Sequence, residues 1–251
     1  MAAYDTIGNI AILPLYTENP KKLANLVLKS NQHIKSVYMK AGKISGRLRK
    51  SHLKFISGEK IKETLHRESG CSFKLDVEKC YFSPRLGNDR LDIARQVKKG
   101  ERVLVMFSGI GPYSIVIAKN SKAREVYGIE LNRIATKYAQ ENIKLNKLSN
   151  CFAIQGDVKK IIPKLGKFDR IVMARPQLKD DFLADALKSS KKKTIIHFYD
   201  FLKEDEMPEG AFRKIKGACK KSKKRFKIIR WKKALEIGPR KWRIRVDFYV
   251  L

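Results

Sequence analysis

From residue 91 onward the apolar positions switch regularly between two periods. Arg102–Phe107 is a continuous apolar run, as a strand reads when helices cover both faces of its sheet. Glu125–Glu130, Cys151–Gln155, Phe168–Ala174 and Lys193–Tyr199 are further strands on the same grounds. Helical spacing is found in Leu91–Val97, Tyr113–Lys119, Asn132–Asn146, Asp180–Lys188 and Glu209–Lys221. Strands alternating with helices imply a parallel sheet with right-handed crossovers. Two long strand-like stretches, Arg225–Leu235 and Lys241–Leu251, then close the chain around Gly238-Pro239. Such a terminal antiparallel hairpin is unusual for a dinucleotide-binding sheet.

Residues 1–90 are less regular. Ile7–Leu13 is strand-like and stops at Pro14. Pro20–Leu28 has helical spacing, with Asn19 as N-cap and the proline in the first helical position. Ser36–Met39, Leu53–Ile56, Lys62–Arg67 and Cys71–Asp76 read as short strands separated by Gly42, Gly46, Gly58 and Gly70. The expected division is a small α+β domain over 1–90, which positions the target, and an α/β catalytic domain over 91–251.

Composition narrows the classes. With 251 residues and 43% hydrophobic content the chain can bury a sizeable core. It holds no run of eighteen or more apolar residues, so no membrane span is expected. The first residues lack a basic segment followed by an apolar one, which argues against a signal peptide. Cys71, Cys80, Cys151 and Cys219 are scattered, with no C-x-x-C pair, so neither zinc nor a disulfide framework is indicated. A cytoplasmic location fits. Lysine and arginine number 56 against 25 acidic residues, a net charge of +31. That surplus suits a polyanionic partner, above all nucleic acid. Runs such as Lys220–Lys224 are also what a solvated face looks like.

One loop carries the chemistry. Phe107-Ser108-Gly109-Ile110-Gly111-Pro112 lies between the first strand of the sheet and its helix. Gly109 and Gly111 let the backbone bend tightly and approach a ligand. Glu130 ends the next strand, where a carboxylate can accept both ribose hydroxyls. Asp157, followed by Val158, comes after the third strand, where it can accept from an adenine amino group. Either acid alone could be a surface residue or a helix cap. NAD is excluded, because the dinucleotide fingerprint needs a third glycine where this chain has Ser114. S-adenosylmethionine carries no pyrophosphate and has no such requirement.

These segments resemble the archaeal and eukaryotic tRNA (guanine-37-N1)-methyltransferases and their wybutosine-pathway relatives. The resemblance rests on Tyr4–Ala11, Gly46-Arg47-Leu48-Arg49, Lys62-Glu63-Thr64, Glu68–Cys71, Tyr81–Leu86 with Asp89-Arg90, Met106–Tyr113 and His197-Phe198-Tyr199. It implies a class I methyltransferase fold: a Rossmann-like parallel sheet with a terminal antiparallel hairpin, plus a small N-terminal α+β domain. It implies S-adenosylmethionine as cofactor, the anticodon loop of tRNA as partner, and no obligate protein partner. By position, Asp89 takes the place of the family's glutamate, the general base on guanine N1. Arg49 matches the arginine that stabilises guanine O6. Arg90, Phe107, Glu130 and Asp157 match cofactor-contacting positions, and Gly109, Gly111 and Val158 lie beside them. The chemistry is coherent, since guanine N1 is protonated at neutral pH and must lose that proton as methyl arrives. Charge then spreads to O6, where an arginine offers directed donors. Arg49 as a phosphate contact and Asp89 as a helix cap are the plainer alternatives.

The family's Asn-Leu-Pro segment is Ala174-Arg175-Pro176 here, so only Pro176 keeps its place among the candidate catalytic residues. Strand one holds Val105 where an acid is frequent. The departure at Ala174 leaves three transfers open: methyl to guanine N1, methyl to a carbon of the tricyclic wyosine base, or the aminocarboxypropyl group to that base. Tyr81, Phe82, Tyr113 and Tyr199 could stack a flipped base, although core packing explains each of them, and His197 reads as structural.

Overall fold

The computed structural model describes residues 4–42, 51–178 and 180–251. Asp5–Ile7 (β1) and Ile10–Leu13 (β2) form a tight hairpin in which Ile7 faces Ile10. The single strand expected over Ile7–Leu13 is therefore broken at Gly8-Asn9. Gly8 sits at φ +55°, and a Cβ there would meet Thr64 Oγ1 at 2.1 Å, so glycine makes the turn. Pro20–Ser30 (α1) begins at its proline as expected. Asn19 precedes it in a left-handed conformation and its side chain makes no capping bond, so the fixed φ of proline sets the start. Ser36–Lys40 (β3) pairs parallel with β2, and Leu53–Gly58 (β4) antiparallel with β3, giving a four-stranded sheet in chain order.

Glu63–Glu68 (β5) and Cys71–Asp76 (β6) make a separate hairpin that leaves this sheet. Its backbone at Ser72 and Lys74 is bonded by the side chains of Asn146 and Asn142 at 2.7–3.1 Å. One buried cluster runs from Ile7 and Phe73 to Val103 and Val126. The division expected at residue 90 thus falls inside continuous packing. A 3₁₀ turn at Pro84–Leu86 leads into Gly87–Gln96 (α2), which starts ahead of the expected Leu91.

The large sheet follows: Arg102–Met106 (β7), Pro112–Asn120 (α3), Glu125–Glu130 (β8), Arg133–Leu145 (α4), Cys151–Gln155 (β9), Val158–Leu165 (α5), Phe168–Met173 (β10), Leu183–Lys188 (α6), Ser190–Lys203 (β11), Glu209–Lys221 (α7), Phe226–Gly238 (β12) and Lys241–Val250 (β13). The strand order is β12-β13-β11-β10-β7-β8-β9. Strands β7 to β11 are parallel, and β13 and β12 are antiparallel additions, as the sequence implied. Two elements depart from expectation. Helix α5 was not anticipated, because Pro163 inside it reads as a breaker. β11 continues past Tyr199 because Phe201–Lys203 find partners in β13. Val103, Val105, Val126, Ile171 and Val172 are fully buried, which accounts for their unbroken apolar runs. No helix of the described residues is long and apolar enough to cross a membrane.

Candidate functional site

The carboxyl ends of β7, β8, β9 and β10 open on a cavity of about 1070 Å³. Phe107 and Gly109, Glu130, Asp157 with Val158, and Ala174-Arg175-Pro176 line it after the four strands in turn. The opposite wall comes from the N-terminal sheet, including Ile12, Lys40, His52 and Leu53. The β12–β13 turn, Glu236–Pro239, closes one side. Seven residues expected to serve a ligand are therefore gathered here: Phe107, Gly109, Glu130, Asp157, Val158 and Pro176 on the wall, with Gly111 just behind.

The bend after β7 is built for close approach. Phe107, Gly109 and Gly111 have φ of +62°, +56° and +90°. A Cβ at Gly109 would meet only Tyr81 O, at 3.7 Å, so the glycine answers to its φ and keeps that side of the loop open. A Cβ at Gly111 would come within 3.0 Å of Ile115, so this glycine serves the seating of α3. Glu130 anchors the bend: its carboxylate accepts from Gly109 N–H at 2.8 Å and from Asn132 N–H at 2.7 Å. Burial raises the Glu130 pKa, and the backbone donors of Asn132, Gly109 and Leu131 pull the other way. Asp157 caps α5 by accepting from Lys159 N–H at 3.0 Å and still lines the cavity, so cap and site readings coincide.

The donor set fits a nucleoside rather than a dinucleotide. Two carboxylates flank the cavity, and Leu131, Val158 and Phe182 supply apolar wall. Carboxylates accept from ribose hydroxyls and an adenine amine, whereas a pyrophosphate would meet like charge. Phe107 and Phe182 pack edge to face with ring centres 4.9 Å apart.

Asp89 and Arg90 are placed differently from expectation. Neither lines the cavity. Asp89 lies in the first turn of α2 and is buried, so it is not that helix's cap. It accepts from Tyr113 Oη at 2.9 Å, from Tyr199 Oη, and from Arg245 Nη1 at 2.7 Å, with Lys232 Nζ at 3.4 Å. Both oxygens are engaged. Arg90 grips Glu68 with Nε at 2.6 Å and Nη2 at 2.5 Å, and Nη2 also donates to Ser83 O at 3.0 Å. It thereby fixes the Tyr81–Arg85 segment, whose Tyr81, Phe82, Ser83 and Arg85 do line the cavity. Arg49 lies outside the described residues.

Of the aromatic candidates, Tyr113 and Tyr199 are buried partners of Asp89, whereas Tyr81 and Phe82 reach the cavity. His197 is structural. Arg170 Nη1 approaches its Nε2 at 2.8 Å, and its Nδ1 lies 2.6 Å from Asp247. A guanidinium can only donate, so Nε2 accepts and the proton sits on Nδ1. Arg175 is tied to Asp200 at 3.2 Å and to the carbonyls of Leu178 and Asp180. Arg243, which no motif singled out, lines the cavity while almost wholly buried. Its sequence signal was the alternation Arg243, Arg245, Asp247, which reads as a solvated strand face.

A doubly wound sheet with an antiparallel hairpin, and a nucleoside-fitting cavity at its carboxyl edge, define a class I methyltransferase. Residues 64–229 match the family model described as the TRM5/TYW2 methyltransferase domain, and residues 1–61 match the TYW2 N-terminal domain. The chain therefore belongs to the TRM5/TYW2 methyltransferase family, whose cofactor is S-adenosylmethionine. It is 38% identical to the tRNA (guanine(37)-N(1))-methyltransferase Trm5b of Pyrococcus abyssi, over 99% of this chain and 74% of that one. It is 33% identical to the tRNA (guanine(37)-N(1))/4-demethylwyosine(37)-methyltransferase Taw22 of Nanoarchaeum equitans, over 99% of this chain and all (100%) of the relative. The crystal structure of Trm5b from Pyrococcus abyssi superposes with a TM-score of 0.90 at 37% identity, covering 99% of this chain and 74% of that one. That of P. horikoshii TYW2 in complex with MeSAdo gives 0.85 at 29% identity, covering 99% and 90%.

Proposed function

We propose that this protein transfers a methyl group from S-adenosylmethionine to N1 of guanosine 37 in the anticodon loop of tRNA. The observation that carries the reading is the Glu130 carboxylate, clamped by the Gly109 and Asn132 amides at the floor of a cavity that extends from the strand ends to the N-terminal sheet. One half of that cavity suits a nucleoside cofactor and the other leaves room for an extruded base.

When bound, the cofactor supplies an electrophilic methyl group on a cationic sulfur. The residues of this chain bind, orient and shield. Glu130 accepts from ribose hydroxyls and Asp157 from the adenine amine. Leu131, Val158 and Phe182 cover the nucleoside and exclude water. Tyr81 and Phe82 offer apolar surface to a flipped base, which must leave its stack before N1 is reachable. Pro176 shapes the wall after β10 without adding a donor. In this arrangement Asp89 secures the base of the wall through Tyr113, Tyr199 and Arg245, and we assign it that positioning role. The net charge of +31 supplies the attraction for tRNA phosphates.

A second reading, modification of the tricyclic wyosine base at the same nucleotide, is favoured by two observations. The N-terminal residues match a TYW2 domain, and Ala174 offers a methyl where the guanine-N1 enzymes present an asparagine amide. Incubation of a G37 tRNA transcript with cofactor labelled in the methyl or in the carboxyl group separates the readings. The methyl label alone, recovered as 1-methylguanosine, is expected. Carboxyl label in the RNA, or no transfer until G37 is first converted to a wyosine precursor, overturns the reading.

A further inference from the structure

Arg243 is a cation whose burial nothing in the chain compensates. It is 4% exposed, lies on β13 opposite Phe201 and Leu235, and lines the cavity. Its guanidinium lies 4.4 Å from the ring centre of Tyr199 and 5.8 Å from that of Phe201. Nε and Nη2 have no hydrogen-bond partner, and Arg243 makes no ion pair with any described carboxylate. A neighbouring arginine shows the contrast, since Arg245 on the same strand is paired with Asp89 at 2.7 Å. Leaving a buried guanidinium with open donors is costly unless a ligand supplies the acceptors.

Three features say which acceptor. Nε–H and Nη2–H lie on one edge of the guanidinium plane, so they point in parallel at two acceptors side by side. Arg243 sits on the far side of β10 and β11 from Glu130 and Asp157, in the half of the cavity away from the nucleoside-fitting end. It is also deep, whereas the phosphates of an RNA whose base has been extruded into a pocket stay at the mouth in water. Two adjacent acceptors on a base, reached deep in a cavity, are O6 and N7 of guanine. Adenine presents a donor beside N7 and cannot satisfy the same fork.

We propose that Arg243 is a specificity residue that reads the O6/N7 edge of the target guanine. Tyr199 holds the guanidinium plane by stacking beneath it. The proposal rests on the reading of guanosine 37 as target. O6 also gains charge as N1 is alkylated, so one fork both selects the base and answers the charge.

The test compares kcat/KM on tRNA carrying guanosine or 7-deazaguanosine at position 37, for wild type, Arg243→Gln and Arg243→Lys, with cofactor affinity measured alongside. Wild type is expected to lose roughly tenfold or more on the 7-deaza RNA. Arg243→Gln should fall by a similar factor on guanosine, lose the 7-deaza penalty and bind cofactor as before, with Arg243→Lys in between. Three results overturn the proposal: equal wild-type rates on the two RNAs, a 7-deaza penalty that survives in the variants, or variants whose defect is weakened cofactor or equally weakened binding of both RNAs. Should the variants fail to fold, the wild-type comparison still decides. Failure of wild type to form 1-methylguanosine at all would instead remove the underlying reading.

Discussion

At the scale of single residues, Asp89 and Glu130 are two carboxylates with opposite situations. Asp89 is enclosed by two phenols and an arginine, while Glu130 faces the cavity with two backbone amides behind it. Asp89→Asn would turn a donor toward Arg245 or toward the tyrosines. Removing one member of such a buried pair costs about 3–5 kcal/mol. The expected outcome is a lowered urea midpoint, with activity falling as the fold does. A variant of unchanged stability and lost turnover would make Asp89 the proton acceptor instead. For Glu130, burial raises the pKa above the ordinary 4.5. Protonation removes the acceptor for ribose hydroxyls, so cofactor affinity should weaken as pH falls, with a midpoint above 4.5. Titrations in acetate and MES buffers check this, and flat affinity down to the ordinary carboxylate value would contradict it. In the folding balance a raised acid pKa works the other way, favouring the protonated fold at low pH.

Among the elements, β13 does two jobs. Ile244, Val246 and Phe248 fill the core on one face, and Arg243, Arg245 and Asp247 are buried on the other, beneath α2. That second face carries a continuous polar chain: Asp89 and Asp92 of α2, Arg245 and Asp247 of β13, His197 of β11, and Arg170 of β10 with Glu101. Arg245→Met should strip Asp89 and Asp247 of a partner together and destabilise by about 3–5 kcal/mol, read by urea unfolding. A neutral result would show that the chain is dispensable packing. The parallel strands were legible in the sequence because their unbroken apolar runs have one physical cause, burial on both faces. The period of two in β13 was legible as well, but it is the same for a solvated charged face and for a buried one. The difference lies in α2, packed over it from 156 residues away in the case of Asp89 and Arg245. The ligand loop, Glu130 and Asp157 were read from their places at strand ends. Arg243 and the engagement of Asp89 were not, because each depends on what lies across the sheet. The Gly8-Asn9 hairpin carried a turn signal that the flanking apolar residues masked.

For the whole molecule, charge and acid sensitivity follow from composition and from one buried ring. Desolvation lowers the pKa of His197, against the pull of Asp247, so the ring is neutral in the fold. The unfolded chain then binds the proton first, and stability is lost as pH falls below the ordinary 6.5. The loss approaches about 1.4 kcal/mol per pH unit and should appear in urea midpoints taken between neutral and mildly acid pH. Asp247, held well below the ordinary carboxylate range by burial-strengthened contact with His197, Arg245 and Arg230, extends the loss to still lower pH. A surplus of 31 positive charges predicts tRNA binding that weakens steeply with added salt, linear on a log–log plot. Salt-independent affinity would mean the surplus serves something else. The account as a whole depends on a nucleoside cofactor seated at the strand ends against Glu130. Calorimetric titration of wild type and Glu130→Ala with S-adenosylmethionine tests it directly. One site is predicted, weakened in the variant by about 1.5–3 kcal/mol through loss of a charged acceptor. Equal affinity in the two proteins, or no binding to wild type, would contradict it.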